Sequence, residues 1–193
     1  MNRPVKHTPA EILAAALSVF FTEGVGVSTA TIAAAAGVSN GTLFHQFPTK
    51  QALIDALYLS IKTDLADAVG GFDDAEPLER RMRQVWDRWL AWARDNREAH
   101  AVGNLLHNSD LVSADAVAAG YELVGAPIDL LVGAKAAGLF VDLPLEYLAA
   151  LIPHHLDEAV VSGLDDRQAD VAFLVLWNGM TTRQTSATRR NAR

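Results

Sequence analysis

The sequence predicts an all-α fold in which an N-terminal three-helix head is followed by a larger helical body. Apolar residues recur at spacings of three and four along most of the chain, whereas the alternation typical of β-strands is scarce. Residue types that begin and end helices stand between these segments. At 193 residues, 50% of them hydrophobic, the chain is long enough for one large domain or two small ones with a shared core.

Four helices are predicted in the first 70 residues. The threonine, proline and glutamate at positions 8, 9 and 11 form a capping box at the start of the first helix. Serine or threonine caps precede the next three helices, and glycine or proline follows each of the four. The predicted caps are Thr8, Ser28 or Thr29, Ser39 and Thr49, and the predicted ends are Gly24, Gly37, Pro48 and Gly70.

The remaining predicted helices form the body. The fifth carries an apolar seam at spacings of four and three, and a short helix over residues 98–109 follows it. The helices beyond have a cap at Ser113, a kink or restart at Pro127, an end at Gly138, a start at Pro144, an end near Val161 and a cap at Asp165 or Asp166.

The last predicted helix is apolar on every side from Val171 to Trp177. A helix that is apolar all round has to be covered all round, and the expected cover is a second copy of the protein. The sequence therefore predicts a homodimer with an interface formed by the last two helices. The expected interface residues are Leu148, Leu151, His155, Phe173, Leu174 and Trp177.

Residues 28–47 are the most informative part of the chain, because they predict two short helices joined by a three-residue turn. This arrangement is typical of a helix-turn-helix, which places its second helix in the major groove of DNA. The formal net charge of −7 is unevenly distributed: residues 1–50 carry three basic and two acidic side chains, and the rest carries 13 basic and 21 acidic ones. Only the head is therefore expected to approach DNA.

The segment from about residue 9 to residue 55 resembles the tetracycline-repressor (TetR) family of bacterial transcriptional regulators. The matching residues are Ile12-Leu13, Ala15-Ala16, Phe20, Gly24, Ser28-Thr29, Ile32-Ala33, Ala36-Gly37-Val38-Ser39, Gly41-Thr42-Leu43-Phe44, Phe47, Lys50 and Leu53. The resemblance implies a homodimeric regulator with two DNA-binding heads and a helical body, in which a small-molecule effector causes release from a pseudo-palindromic operator. A repressor is expected, with an activator as the alternative. The predicted domains are a helix-turn-helix domain at 1–50, a ligand-binding and dimerisation domain at 51–180 and a flexible tail at 181–193.

The expected DNA contacts lie at the start and on the outer face of the third helix. Asn40 has an amide that can pair with an adenine edge, and Thr42 can touch a base or a thymine methyl group. Thr29 at a helix N-terminus and Lys50 as a point charge are expected at phosphates, with ordinary caps and solvated side chains as the alternative. The predicted DNA-binding set is Thr29, Ser39, Asn40, Gly41, Thr42, His45, Gln46 and Lys50.

Two positions depart from the family pattern. Phe44 stands where the family usually has a tyrosine whose hydroxyl binds phosphate, and Gln46 replaces a common histidine. Because Phe44 has no hydroxyl, we expect it to pack inward, with the phosphate contact weakened or supplied by His45 or Gln46. The basic segment 3–7 is either an arm along DNA or a flexible terminus.

Aromatic and methionine side chains of the body are candidates for the wall of an effector pocket, with plain core packing as the alternative. The predicted ligand-binding residues are Met82, Trp86, Trp89, Trp92, Asn104, His107, Tyr121 and Trp177. His100, Asn104, His107 and Asp110 recur on one helical face, which is compatible with a solvated face, a polar pocket wall or a metal site. A separation of about 10 Å between positions i and i+7 is unfavourable for one metal ion, so no metal site is predicted. The expected effector is hydrophobic or aromatic.

Composition and motifs narrow the function classes. The absence of cysteine excludes disulfides and thiolate metal sites, and no apolar run reaches the roughly 18 residues of a membrane span. No signal-like segment is present, so a cytoplasmic protein is expected. No nucleophile elbow, phosphate loop or metalloprotease motif is found, so neither an enzyme nor a cofactor is predicted. The alternative function is an all-helical small-molecule-binding protein with weak or lost operator binding.

Overall fold

The computed structural model describes residues 8–71, 73 and 75–182, and their regular structure is α-helical. In these residues ten helices are present: α1 (Pro9–Glu23), α2 (Thr29–Ala35), α3 (Asn40–Gln46), α4 (Lys50–Val69), α5 (Leu78–Asp95), α6 (Arg97–His107), α7 (Ala114–Leu123), α8 (Gly125–Ala136), α9 (Leu145–Val161) and α10 (Asp166–Met180). Over the same ranges, β-pairing is limited to an isolated bridge between Phe140 and Thr181. The predicted all-α fold is confirmed.

The caps predicted for the head are observed. The Thr8 hydroxyl accepts a hydrogen bond from the Glu11 N–H, and the Glu11 carboxylate accepts one from the Thr8 N–H at 2.7 Å, which completes the capping box. Ser28 and Ser39 each accept a hydrogen bond from the third backbone N–H of the helix that follows. Gly24 follows α1 with φ of 82°, a left-handed value that glycine adopts without strain.

The predicted interruption at Pro127 is a restart. The first helix of the pair, α7, ends at Leu123, and α8 begins at Gly125. Pro127 therefore lies in the first turn of α8, where its missing N–H breaks no helical hydrogen bond.

Among the described residues no single helix is long and apolar enough to cross a membrane, and α7 and α8 meet that test only when they are counted together.

The end of α10 continues into pairing with the segment before α9. The Val141 N–H donates to the Met180 carbonyl at 2.9 Å, and the Thr182 N–H donates to the Leu139 carbonyl at 2.9 Å. The sequence predicts that the flexible tail begins at residue 181. Thr181 and Thr182 are instead held by backbone pairing with residues 139–141. The rest of that predicted tail and the basic segment 3–7 lie outside the described residues.

The chain divides into two compact units. Unit 1 comprises the described residues up to Ala68 together with Ala91–Val124, and unit 2 comprises Val69–Leu90 and the described residues from Gly125 onward. In unit 1, α1 packs on α2 and on α6, and α2 packs on α3. In unit 2, α9 packs on α8 and on α10. The functional boundary at residue 50 stays a prediction, because these units are defined by packing and not by function.

Candidate nucleic-acid interface

The turn between α2 and α3 is built from local hydrogen bonds. The Val38 N–H donates to the Ala33 carbonyl at 2.9 Å, which folds the chain back at the end of α2. Gly37 has φ of 67°, the left-handed value that this type of helix end requires. Ser39 then begins α3 by accepting a hydrogen bond from the Thr42 N–H at 3.0 Å. The two short helices are thereby joined by an ordered turn, as a helix-turn-helix requires.

One side of α3 is buried and the other is accessible. Leu43 and Phe47, four residues apart and therefore on one face, are both buried in unit 1. The other positions are exposed, except that Gln46 is half-buried. We call residues 40–42 and 44–46 the α3 surface. It contains the contacts that the sequence predicts on this helix apart from the cap, Ser39.

The hydroxyls at the start of α3 are bonded to each other. Ser39 Oγ and Thr42 Oγ1 lie 2.9 Å apart, and Ser39 Oγ also accepts the Thr42 N–H. Ser28 and Thr31 repeat this arrangement at the start of α2, with their oxygens 3.0 Å apart. A hydroxyl can accept further hydrogen bonds while it donates one, so capping leaves these groups capacity for an outside partner. Thr29, the first residue of α2, is half-buried.

Phe44 lies on the α3 surface, which corrects the expectation that it packs inward. Its side chain is 39% exposed. The reason is helix geometry: Leu43 and Phe47 occupy the core-facing positions, and the residue after Leu43 is rotated from it by about 100°. The helix therefore presents an aromatic ring without a hydroxyl one turn after Asn40.

Lys50 is bonded to the loop between α1 and α2. Its Nζ donates to the Val27 carbonyl at 2.6 Å and to the Val25 carbonyl at 2.9 Å. The side chain is half-buried. An ammonium group has three protons, so one remains after these two bonds. The predicted phosphate contact stays a prediction, and the observed bonds connect the start of α4 to the segment that precedes α2.

The described part of the head has little positive charge. Between residues 8 and 50, Lys50 is the single lysine or arginine, against the acidic residues Glu11 and Glu23. Besides Lys50, phosphate contacts would then come from helix N-termini, from hydroxyl groups or from the basic segment 3–7. Such a surface depends on base contacts more than a strongly basic one does.

The first turn of α4 is also bonded to the segment between α6 and α7. Gln51 Nε2 donates to the Leu111 carbonyl at 2.7 Å, and the Ser113 N–H donates to Asp55 Oδ1 at 2.9 Å. Gln51 Nε2 also donates to Asp55 Oδ1 at 2.9 Å. Gln51 and Asp55 are not among the site residues predicted from the sequence. The sequence signal that could have indicated them is a pair of polar side chains four residues apart on one helix. The start of α4 thus contacts the head on one side and the α6–α7 segment on another.

Polar side chains of α4, α6 and α7 meet in unit 1. Tyr58 Oη lies 3.1 Å from His107 Nδ1, and the Tyr121 ring meets the His107 ring edge-on at 5.9 Å between centroids. Burial, with a further contribution from Tyr121, raises the pKa of Tyr58 to about 12, so the hydroxyl keeps its proton at neutral pH. Lys62 Nζ lies 5.3 Å from the centre of the Tyr58 ring. Burial lowers the pKa of the Lys62 ammonium group. We call these four residues the Tyr58 cluster.

The predicted ligand-binding residues are divided between the two units. Trp92, Asn104, His107 and Tyr121 belong to unit 1, and Met82, Trp86, Trp89 and Trp177 belong to unit 2. In unit 1, Trp92 meets the His100 ring edge-on. In unit 2, Trp86 packs against His155 and Phe173. The tryptophans of α5 therefore contribute to two cores, which periodicity alone does not reveal.

The solvated face proposed for α6 is corrected at His100. Its side chain is 6% exposed because Trp92 and the unit 1 core cover it, and Asn104 Nδ2 lies 3.4 Å from its Nε2. Asn104 and His107 are half-buried, and Asp110 is exposed. Within the described ranges, no group of three or more histidine, aspartate or glutamate side chains is placed to bind a metal ion.

A small apolar cavity lies in unit 2, and Met82, Trp86, Trp177 and Met180 are among the residues that line it. Its volume is about 10 Å³. This is about the space that one water molecule requires, so an aromatic effector does not fit without rearrangement of the side chains. The Trp86 indole N–H is buried without a hydrogen-bond partner in the part of the chain that the structure describes.

Two of the predicted dimer residues are buried within the subunit. Leu148 and Phe173 are covered by the helices of their own unit, so they cannot form an intersubunit surface in this conformation. His155 is half-buried, and its Nε2 lies 3.0 Å from the Ala172 carbonyl, which ties α9 to α10. These three side chains stabilise the subunit itself.

The other face of α10 is apolar and exposed. Val171, Leu174 and Val175 lie at positions i, i+3 and i+4, and their exposed fractions are 55%, 45% and 61%. We call these three residues the α10 face. Of the other predicted interface residues, Leu151 and Trp177 are half-buried.

Comparison with known proteins places these features among bacterial regulators. Residues 12–57 match the model of a family described as bacterial regulatory proteins, tetR family. A crystal structure from Shewanella sp. PV-4, assigned to the tetR family of transcription regulators, is 29% identical over 91% of this chain and 98% of that chain, with a TM-score of 0.81. A tetR family structure from Vibrio parahaemolyticus is 26% identical over 90% and 98% of the two chains, with a TM-score of 0.69. A tetR family transcription regulator from Marinobacter aquaeolei VT8 shares the fold at 19% identity over 91% and 96%, with a TM-score of 0.79.

Proposed function

We propose that the chain, which matches the tetR family of bacterial regulatory proteins over residues 12–57 and is similar to a solved structure assigned to that family, is a homodimeric repressor that binds a pseudo-palindromic operator and is released by an effector. The α3 surface is the observation that carries the proposal. It presents the amide of Asn40 and the hydroxyl of Thr42 on a short helix anchored by Leu43. Side chains of this kind read base edges in the major groove. We place the protein in the cytoplasm, where a bacterial operator lies.

The α10 face supports the homodimer. Three adjacent apolar side chains, Val171, Leu174 and Val175, are exposed on the isolated subunit, and apolar patches of this kind mark interaction surfaces. In the proposed assembly a second copy covers the face. Two-fold symmetry then supplies two α3 helices for two operator half-sites about 34–36 Å apart.

Contacts within unit 1 support coupling between effector and DNA. The α6 helix, which carries His107, packs directly on α1 of the head. The segment after α6 is bonded to Gln51 and Asp55, and the neighbouring Lys50 is bonded to the loop before α2. We propose that a largely hydrophobic or aromatic effector binds beside the Tyr58 cluster and moves α6, so that the spacing of the two heads no longer fits the operator.

Footprinting on the DNA that flanks the gene tests the regulator proposal. The expected result is one protected site of pseudo-palindromic form at moderate salt. Asn40→Ala should weaken binding to that site by about 1–3 kcal/mol and leave binding to random DNA unchanged, because a base contact is lost. Ser18→Ala, at an exposed position of α1, is the matched control and should bind as the native protein does. Absence of any protected site would refute the proposal.

The low positive charge of the head favours a second candidate, an all-helical small-molecule-binding protein without operator binding. The single lysine between residues 8 and 50 is already bonded to two carbonyl groups. This candidate predicts quenching of tryptophan fluorescence by aromatic ligands together with an empty footprint. The repressor predicts that the same ligands remove an existing footprint.

A further inference from the structure

Phe44 is an apolar side chain on the surface that is proposed to face DNA. Its ring is 39% exposed and lies four residues after Asn40, on the neighbouring turn of the same side of α3. The ring has no hydrogen-bonding atom, so it can neither donate to a phosphate nor pair with the polar atoms of a base edge. The apolar group that base edges present in the major groove is the C5-methyl group of thymine.

We propose that Phe44 selects a thymine in each operator half-site by packing its ring against the C5-methyl group. The inference rests on the proposed function, because it requires sequence-specific DNA binding. It adds a specificity determinant of stated chemistry at a position where the sequence pattern alone predicts an inward-facing ring.

The neighbours of Phe44 leave room for this contact. Gly41 carries no side chain on the α3 surface, and a Cβ built there would meet only Ser39 Oγ, at 3.7 Å. The backbone of α3 can therefore approach the base pairs closely on this side. The exposed part of the phenylalanine ring is in contact with water in the free protein. Packing against a methyl group removes apolar area from water, which is favourable.

The position of Phe44 relative to Asn40 restricts where the thymine lies. Four residues of α-helix correspond to about 6 Å along the helix axis. Base pairs are spaced by about 3.4 Å, so the selected thymine should lie within about two base pairs of the base that Asn40 contacts.

The electrostatics of the head make this apolar contact important for specificity. One lysine and two glutamates are the charged residues between positions 8 and 50. A weakly charged head gains little sequence-independent affinity from phosphates. Discrimination between sites must then come largely from groups that touch bases, and Phe44 is the largest side chain on the α3 surface.

Replacement of thymine by deoxyuridine tests the proposal, because the change removes only the C5-methyl group. One thymine of the footprinted site is replaced at a time, until every thymine of both half-sites has been tested. The dissociation constant of each modified site is measured at one salt concentration. The expected result is a loss of affinity of about fourfold per half-site at one symmetry-related pair of positions, the equivalent of one buried methyl group.

Protein variants assign that loss to Phe44. Phe44→Ala should bind the thymine site more weakly and show no further loss with deoxyuridine at the same pair, whereas Phe44→Tyr keeps a ring and should retain the sensitivity. Phe21→Ala is the matched control, since Phe21 is an exposed phenylalanine on α1 (47% exposed) outside the α3 surface. It should leave the deoxyuridine profile unchanged.

Four outcomes overturn the proposal. A footprinted site that is insensitive to deoxyuridine at every position, or an unchanged deoxyuridine profile in Phe44→Ala, refutes the thymine contact and leaves the regulator proposal standing. Equal weakening of Phe44→Ala on specific and random DNA would indicate packing on the sugar-phosphate backbone. Absence of any specific site refutes both proposals together.

Discussion

At the scale of single residues, Gly120 and Tyr58 show how closely α7 approaches α4. A Cβ at Gly120 would lie 2.7 Å from Tyr58 Cε1 and 3.1 Å from Tyr58 Oη. The Tyr58 side chain is buried and its hydroxyl is within 3.1 Å of His107 Nδ1, so the ring cannot move away without breaking that contact. Glycine at position 120 is therefore a packing requirement of the Tyr58 cluster.

Gly120→Ala should lower the free energy of unfolding by about 1–2 kcal/mol, because the overpacking of Tyr58 exceeds the gain in helix propensity. Gly133→Ala is the matched control. Gly133 also lies inside a helix, α8, and a Cβ there would meet nothing within 4 Å, so this variant should be more stable by about 0.5–1 kcal/mol. Urea unfolding at one fixed protein concentration measures both. Equal stabilisation by the two substitutions would show that Tyr58 has room to shift.

At the scale of elements, the start of α4 connects three segments of unit 1. Lys50 bonds the loop between α1 and α2, and the residues that follow it bond the segment between α6 and α7. The start of α4 therefore connects the segment after α6 to the loop before α2 through hydrogen bonds. The structure assigns to Lys50 a tether within the head, in addition to the phosphate contact that its position in the sequence suggests.

Lys50→Met separates these two roles. Loss of two charge-assisted hydrogen bonds should reduce the free energy of unfolding by about 1–3 kcal/mol and weaken specific and random DNA binding alike. If Lys50 acts only as a tether, the slope of log Kd against log salt should equal that of the native protein, whereas a slope that decreases by about 0.9 for each subunit would identify a phosphate contact as well. An unchanged free energy of unfolding in Lys50→Met would contradict the tether.

At the scale of the whole molecule, exposed apolar area on α10 is the feature that a single chain leaves unexplained. Val171, Leu174 and Val175 point away from the core to which Phe173 and Met180 contribute. In an isolated subunit such an apolar face is exposed to water and favours aggregation. In a symmetric assembly a second copy covers it. Since Leu174 is exposed, a charge there should change assembly without disrupting the fold.

Leu174→Asp should convert the proposed dimer into monomers, because a carboxylate would be buried in an apolar interface. Sedimentation velocity measures the assembly state, and helical circular dichroism confirms folding. Leu105→Asp is the matched control, since Leu105 on α6 has the same 45% exposure and should leave the assembly unchanged. A dimer that persists in Leu174→Asp would place the interface elsewhere.

Much of the fold and the centre of the candidate site follow from the sequence by itself. The helix-turn-helix, the capping box at Thr8 and the caps at Ser28 and Ser39 depend on residues within four positions of one another. Capping and periodicity are local properties, so a sequence contains them directly. The exposed position of Asn40 and Thr42 follows from the same local geometry.

The tertiary structure decided which side chains face outward and which distant segments meet. Lys50 reaches carbonyl groups 23 and 25 residues away, and Tyr58 meets His107 49 residues away. Likewise, Leu148 and Phe173 turned out to be core, whereas Leu174 is surface. Helical spacing shows that a face is apolar but not what covers it, because burial depends on contacts between residues far apart in the chain. The folded chain also corrects the inward packing expected of Phe44, which is exposed on the α3 surface.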